Sequence, residues 1–262
     1  MGGKHYIFNE IYTPDLTRNA KLRVKSSEKE LHMKIHFIRH GDPDYKNDCL
    51  TELGRLQADA TSKRLAECKL SRIFSSPLGR ARETASYTAN AKGLEIEICD
   101  FMREIGWSSL NGEELPCGGH PWELAKQLVR ENKNLMHHGW ENEYPYNNSR
   151  IVQCIETVSA GIDSLLATLG YEREGDFYRV STKNDDEYAL FSHAGSSTAA
   201  LVHLFNMPAP FAYAMFPVNL CSVTTVEFKG QEGELIYPKF DIMNDKRHTE
   251  GLEGKCVYET EA

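Results

Sequence analysis

The sequence predicts an α/β fold: a three-layer α/β/α sandwich around a mostly parallel sheet, with an inserted lid region. Three observations carry that expectation. Residues 33–38 form an almost unbroken apolar run that stops at Arg39, His40 and Gly41. A second strand-like run, residues 187–192, stops in the same way at His193, Ala194 and Gly195. Between them, short strand patterns alternate with segments of helical period. A central parallel strand is covered on both faces and reads as continuous hydrophobicity, and ligands of open α/β sheets sit at its carboxyl edge.

Taken in order, the chain supports this reading. After the first strand comes a polar loop, residues 42–48. Thr51 then fits an N-cap, with Leu53, Leu56 and Ala60 on one face of a helix running to about Ala66. Residues 72–75 form a short strand, and Ser76-Pro77 reads as a capped helix start, with Leu78, Ala81, Ala85 and Ala89 on its inner face. Residues 95–98 alternate as an edge strand does. Residues 105–121 read as loop, and Trp122, Ala125, Leu128 and Val129 recur at helical spacing in what looks like inserted material. Ser149 is placed as the cap of the longest apolar stripe, Val152 to Leu169, which Gly170 stops. Residues 177–180 and 187–192 read as two strands joined by a hairpin loop at 183–186. A helix over 196–205 is broken by Pro208 and Pro210. A strand over 222–228 follows, with residues 235–237 pairing back on it. The expected organisation is therefore an N-terminal extension over 1–32, a catalytic domain over 33–240 with a lid at about 105–150, and a C-terminal tail over 241–262.

With 38 acidic against 30 basic residues and a formal charge of -8, the composition argues against nucleic acid or an anionic membrane as partner. A local arginine cluster is the expected anion site. Seven dispersed cysteines without a C-x-x-C pair read as reduced thiols of a cytoplasmic protein. No window approaches the eighteen or so apolar residues of a membrane span.

The candidate chemistry lies at the strand exits: Arg39 and His40, Arg80, Glu104 and His193. Two guanidiniums and a second imidazole around one nucleophile suit a dianionic phosphoryl group, because arginine offers a rigid fork of donors to phosphate oxygens. No glycine-rich phosphate loop is present.

The runs R-H-G at 39–41, L-T-E-L-G-R-L-Q-A at 50–58, S-S-P-L-G-R-A-R-E-T-A at 75–85, R-E-I-G-W at 103–107 and F-S-H-A-G at 191–195 resemble the histidine phosphatase superfamily, the phosphoglycerate mutase-like family, in its branch 1. The resemblance implies His40 as a nucleophile that becomes phosphohistidine, with Arg39, Arg80, His193 and Ala194 binding the phosphate. It implies Glu104 as the acid that protonates the leaving group and then activates water, its pKa raised by the lid and Trp107. Glu113 and Glu114 are the alternatives for that role. It also implies a metal-independent phosphomonoesterase without cofactor, acting on a small phosphorylated metabolite. Lys46 stands where mutases of the family carry asparagine, so mutase-type phosphotransfer is the second reading and a non-catalytic phospho-ligand module the third. Substrate choice is expected in residues 105–150, where Trp107, Trp122, Trp140, Tyr144 and Tyr146 would form an apolar wall. An exposed edge strand would suit a homo-oligomer.

Overall fold

The computed structural model describes residues 31–253; residues 1–30 of the expected extension and 254–262 of the expected tail lie outside them. In chain order the elements are β1 (Leu31–Arg39), β2 (Pro43–Asp44), β3 (Cys49–Leu50), α1 (Glu52–Leu65), β4 (Leu70–Ser75), α2 (Gly79–Lys92), β5 (Ile96–Ile98), α3 (Pro121–Arg130), α4 (Ile151–Thr168), β6 (Tyr171–Glu174), β7 (Phe177–Val180), β8 (Glu187–Ser192), α5 (Ala194–Leu204), α6 (Ala209–Met215), β9 (Val223–Gly230), β10 (Leu235–Ile236) and β11 (Lys239–Asp245).

The main sheet has six strands in the order β11-β9-β1-β8-β4-β5. β1, β8, β4 and β5 run parallel; beyond β1, β9 runs antiparallel to it, and β11 pairs antiparallel with β9 and so runs in the direction of β1. Side chains alternate across it, as a pleated strand requires. On one face Met33, Ile35, Phe37, Phe74, Leu190, Val226 and Phe228 join a core with α4 and α5. On the other, Ile38, Ile73, Ala189 and Phe191 pack on Leu65 of α1 and on Ala85 and Ala89 of α2. The three-layer α/β/α sandwich predicted from the sequence is thus the fold.

Several local expectations change. Thr51 does cap α1, its hydroxyl accepting the amide of Gly54 at 3.1 Å. However, Leu56 is 52% exposed, and the buried face is Gly54, Gln57, Ala58, Thr61, Ser62 and Leu65. The small side chains on that face let α1 lie close to α2 and to the loop after β1. The helix after β4 starts at Gly79, not at Pro77, and Leu78 is its uncapped N-cap; Ser76 is used elsewhere. Ser149 misses the N-cap of α4 by one residue but still accepts the Ile151 amide at 3.3 Å.

The hairpin expected between residues 177–180 and 187–192 is absent. β7 pairs with β6 and β10 in a separate three-stranded sheet, and β8 inserts between β1 and β4 in the main one. Alternation reports which side chains are buried, but it names no partner strand. By the same confusion β10 pairs with β7, not with β9; β11 takes that place. β11 therefore crosses the boundary drawn at residue 240. Pro208 and Pro210 start a helix instead of ending one, with Pro208 the N-cap of α6. Finally, α4 with a mean hydropathy of 1.2 over 18 residues is long and apolar enough to cross a bilayer, contrary to the sequence reading. Its Ile155, Val158, Ile162 and Leu166 stripe is buried in the core, the position of a core helix.

Candidate active site

The carboxyl ends of β1 and β8 lie side by side, Arg39 opposite Ser192 in the parallel register. That register delivers His40 and His193 to the same point, their ring centroids 5.1 Å apart. The backbone fixes His40 there: its amide donates to Ser192 O at 3.0 Å, and the next amide, Gly41, donates to Thr84 Oγ1 at 3.1 Å. Two motif glycines allow the close approach. A Cβ on Gly41 would stand 2.6 Å from Gly54 O, and one on Gly54 would stand 2.2 Å from Asp42 O.

The His40 side chain is 1% exposed, and its Nδ1 lies 2.7 Å from Gly41 O. A carbonyl oxygen only accepts, so Nδ1 carries the proton and the Nε2 lone pair is left uncommitted. Burial, then the Arg39 charge and more weakly that of Arg80, hold its pKa well below the ordinary imidazole range. The ring is neutral at pH 7, as an attacking nitrogen requires.

Around it stand the cations. Arg39 donates from Nη1 to Val218 O at 2.7 Å, and Arg80, in the first turn of α2, donates from Nη1 to Asp48 Oδ1 at 2.6 Å. Asp48 Oδ2 also accepts the Gly79 amide at 2.6 Å. Tyr45 covers the Arg80 guanidinium, 5.4 Å from ring centre to Cζ. Ser76 Oγ lies 2.8 Å from His193 Nε2; with the hydroxyl donating, the ring proton resides on Nδ1. Arg39 Nε, Arg80 Nε and His193 Nδ1 are buried without a hydrogen-bond partner among the described residues. Three buried donors of this kind form a site for an anion, since an unmatched buried donor is costly unless a ligand satisfies it.

Glu104 follows the 3₁₀ turn Asp100–Met102 after β5. Its Oε1 accepts the amides of Ile105 at 3.0 Å and of Ser196, in the first turn of α5, at 3.2 Å. Burial raises its pKa against those amides and the Arg39 and Arg80 charges. The expectation gave this shift to the lid and Trp107; Trp107 packs edge-on against His120 at 5.0 Å. Ile105 and Gly195 are the groups against Glu104: a Cβ on Gly195 would fall 2.4 Å from Ile105 Cγ1 and 2.5 Å from Glu104 Oε1. Gly195→Ala should therefore displace the carboxyl and lower kcat by about 100-fold with KM little changed, the scale of an ångström misplacement; steady-state kinetics checks it.

The structure thus brings together Arg39, His40, Arg80, Glu104, His193 and Ala194. Glu113 and Glu114 stay on an exposed loop. Of the expected aromatic wall, only Trp122 borders the arginine cluster: it lines, with Arg39, Lys126 and Ala194, a recess of about 210 Å³. Trp140 and Tyr146 pack edge-on against each other at 5.0 Å, and Tyr144 is 62% exposed. Trp122 also meets Tyr213, whose hydroxyl donates to Gly195 O at 3.2 Å, so the lid abuts the segment that carries His193. Sequence reasoning missed Asp48 and Ser76. The S-S-P run did flag Ser76, but as a helix cap.

The two buried imidazoles have a thermodynamic consequence. Their folded pKa values lie below the ordinary 6.5, chiefly through burial. Below pH 6.5 the unfolded chain therefore binds protons that the folded one does not, and stability falls as pH falls. Urea midpoints measured from neutral pH down to about pH 5 should decline by up to about 1.4 kcal/mol per unit for each imidazole, and His193→Gln should flatten that slope.

The family model described as the histidine phosphatase superfamily, branch 1, matches residues 35–239. Among curated proteins, a probable phosphoglycerate mutase of Proteus mirabilis is 22% identical over 206 residues, covering 75% of this chain and 86% of that one. The mitochondrial serine/threonine-protein phosphatase Pgam5 of Drosophila melanogaster is 32% identical over 130 residues, covering 45% of this chain and 42% of its own, so the chain spans less than half of that protein. Among solved structures, a mycobacterial glucosyl-3-phosphoglycerate phosphatase superposes with a TM-score of 0.56 at 21% identity, covering 81% of this chain and 99% of that one. A phosphoserine phosphatase from Entamoeba histolytica gives 0.52 at 22% identity, covering 82% and 98%. The family match, from within β1 to the start of β11, takes in every residue of the cluster built above, and the chain belongs to the histidine phosphatase superfamily, branch 1.

Proposed function

We propose that the chain is a phosphomonoesterase that hydrolyses a small phosphorylated metabolite through a phosphohistidine on His40. The observation that carries this reading is the neutral His40, its Nε2 uncommitted, set among Arg39 Nε, Arg80 Nε and His193 Nδ1, for which the described residues supply no acceptor. In the first step His40 Nε2 attacks phosphorus, the ester P–O bond breaks, and the Glu104 carboxyl gives its proton to the leaving alkoxide. In the second, Glu104 as carboxylate takes a proton from water, whose oxygen displaces the imidazole and releases orthophosphate. Arg39, Arg80, His193 and the Ala194 amide at the start of α5 hold the phosphoryl oxygens throughout. The recess of about 210 Å³ beside Arg39 suits a leaving group of a few carbons, and the two structural neighbours named above are a glucosyl-3-phosphoglycerate phosphatase and a phosphoserine phosphatase.

Rapid quench in alkaline detergent after brief exposure to a labelled phosphomonoester should trap phosphate on His40 that is stable to alkali and lost in acid, found by peptide mapping at alkaline pH. Turnover without any such adduct would overturn the proposal. The name of the Proteus mirabilis relative favours a second reading, mutase-type phosphotransfer. A coupled assay with 3-phosphoglycerate and a bisphosphoglycerate primer separates the two, because a mutase interconverts isomers faster than it releases phosphate. On the proposal, phosphate release is the faster process.

A further inference from the structure

A second cluster of chemically competent side chains lies away from this site, toward the amino ends of the parallel strands. His36 is on β1, three residues short of His40's immediate neighbourhood and about 13 Å from it along the extended chain. Its side chain is on the α1 face of the sheet, as are Glu187 at the start of β8 and Thr225 on β9. Cys68, a free thiol in the turn between α1 and β4, reaches the same place. His36 Nε2 lies 3.1 Å from Glu187 Oε2, and the nitrogen, the carboxylate oxygen and the Cys68 sulfur all lie within 4.8 Å of one another.

Around a tetrahedral zinc ion with bonds of about 2.0–2.3 Å, such donors stand roughly 3.3–3.7 Å apart. The three atoms are therefore within about 1 Å of ligating positions, and Cys68, half-buried against the α1–α2 face of the core, lies outside any helix or strand. The far nitrogen of the imidazole is already oriented: His36 Nδ1 lies 2.8 Å from the buried Thr225 Oγ1, the kind of outer hydrogen bond that aims a ligating histidine. Lys34, which also faces Glu187, is drawn to Asp241 at 2.7 Å. A nitrogen, a thiolate and a carboxylate together select a borderline transition ion over magnesium or calcium.

We propose that His36, Cys68 and Glu187 bind a zinc-class divalent ion, with water in the fourth position, and that the ion ties the turn between α1 and β4 to the two central strands. The ion stabilises the fold and takes no part in the reaction at His40.

The test uses the full chain, reduced and freed of metal with a chelator, then titrated with cobalt(II). One equivalent should produce the visible bands of tetrahedral cobalt together with a sulfur-to-cobalt charge-transfer band. Cys68→Ser should remove the charge-transfer band, Glu187→Gln should weaken binding at least about tenfold, and Cys117→Ser, which alters an exposed thiol far from the cluster in sequence, should leave both unchanged. Zinc at a hundredfold excess over its Kd should raise the Tm of the wild-type protein by about 5 °C and that of Cys68→Ser not at all. Should Cys68→Ser fail to fold, zinc protection of Cys68 from alkylation, read by mass spectrometry on the wild-type protein, makes the same distinction. No charge-transfer band, a band that survives Cys68→Ser, or alkylation of Cys68 that zinc does not slow would overturn the assignment.

Discussion

Replacing His40 by alanine is expected to lower kcat by about 100,000-fold or more and to abolish the trapped phosphoenzyme. The loss is that large because on the proposed route the side chain takes the phosphoryl, so no weaker version of the two steps remains. What survives is the positioning and charge stabilisation by Arg39, Arg80 and His193, which acts on direct attack by water. Exogenous imidazole, small enough for the space vacated by the ring, should restore part of the turnover. Circular dichroism and a Tm close to the wild-type value confirm that the variant is folded. A His40→Ala protein that keeps full turnover would refute His40 as nucleophile.

The second large effect concerns Glu104. Burial raises the pKa of its carboxyl above the ordinary 4.5, so the acid form needed for the proposed first step outlasts that of an ordinary carboxyl as pH rises. The sign follows directly: kcat/KM should fall as pH rises through that raised pKa, because deprotonation removes the proton that the leaving alkoxide needs. Glu104→Gln should lower turnover of an alkyl phosphate by about 100- to 10,000-fold and erase this limb of the pH profile. With p-nitrophenyl phosphate, whose leaving group departs without a proton, the loss in the phosphorylation step should be far smaller. The phosphoenzyme should then accumulate, since amide cannot activate the water that discharges it. Stopped-flow release of nitrophenolate, read as a burst with a stoichiometry approaching one per site, checks this. Equal losses on both substrates would mean that Glu104 positions other groups and transfers no proton.

Much of this site was legible in the sequence because its parts are carried by local signals. An apolar run that ends in Arg39-His40-Gly41 marks a buried strand with a reactive tip, and Arg80 falls in the first turn of a helix whether that helix starts at Pro77 or at Gly79. Ser76 and Asp48 were not legible as site residues. A serine before proline has the same local appearance whether its hydroxyl caps a helix or, as here, bonds to an imidazole 117 residues away. Likewise Asp48 is an ordinary loop aspartate until the chain folds back and sets it 2.6 Å from Arg80. The cover over Glu104 was legible only as the lid that follows it in sequence; Gly195, which lies against its carboxyl, is near only in space.

The sequence by itself determined the fold class, the order of most strands and helices, and the residue types that meet at the carboxyl edge. Those follow from burial periodicity and from residue chemistry, which are properties of a segment and its immediate neighbours. Only the tertiary structure decided which strand pairs with which. It placed β8 between β1 and β4 and not in a hairpin with β7, and so set His193 beside His40. It alone decided also the protonated nitrogen of His40, the close approach of Gly195 to Glu104 and the partner of Ser76, because hydrogen bonding and desolvation depend on distances between atoms that the chain brings together only when it folds.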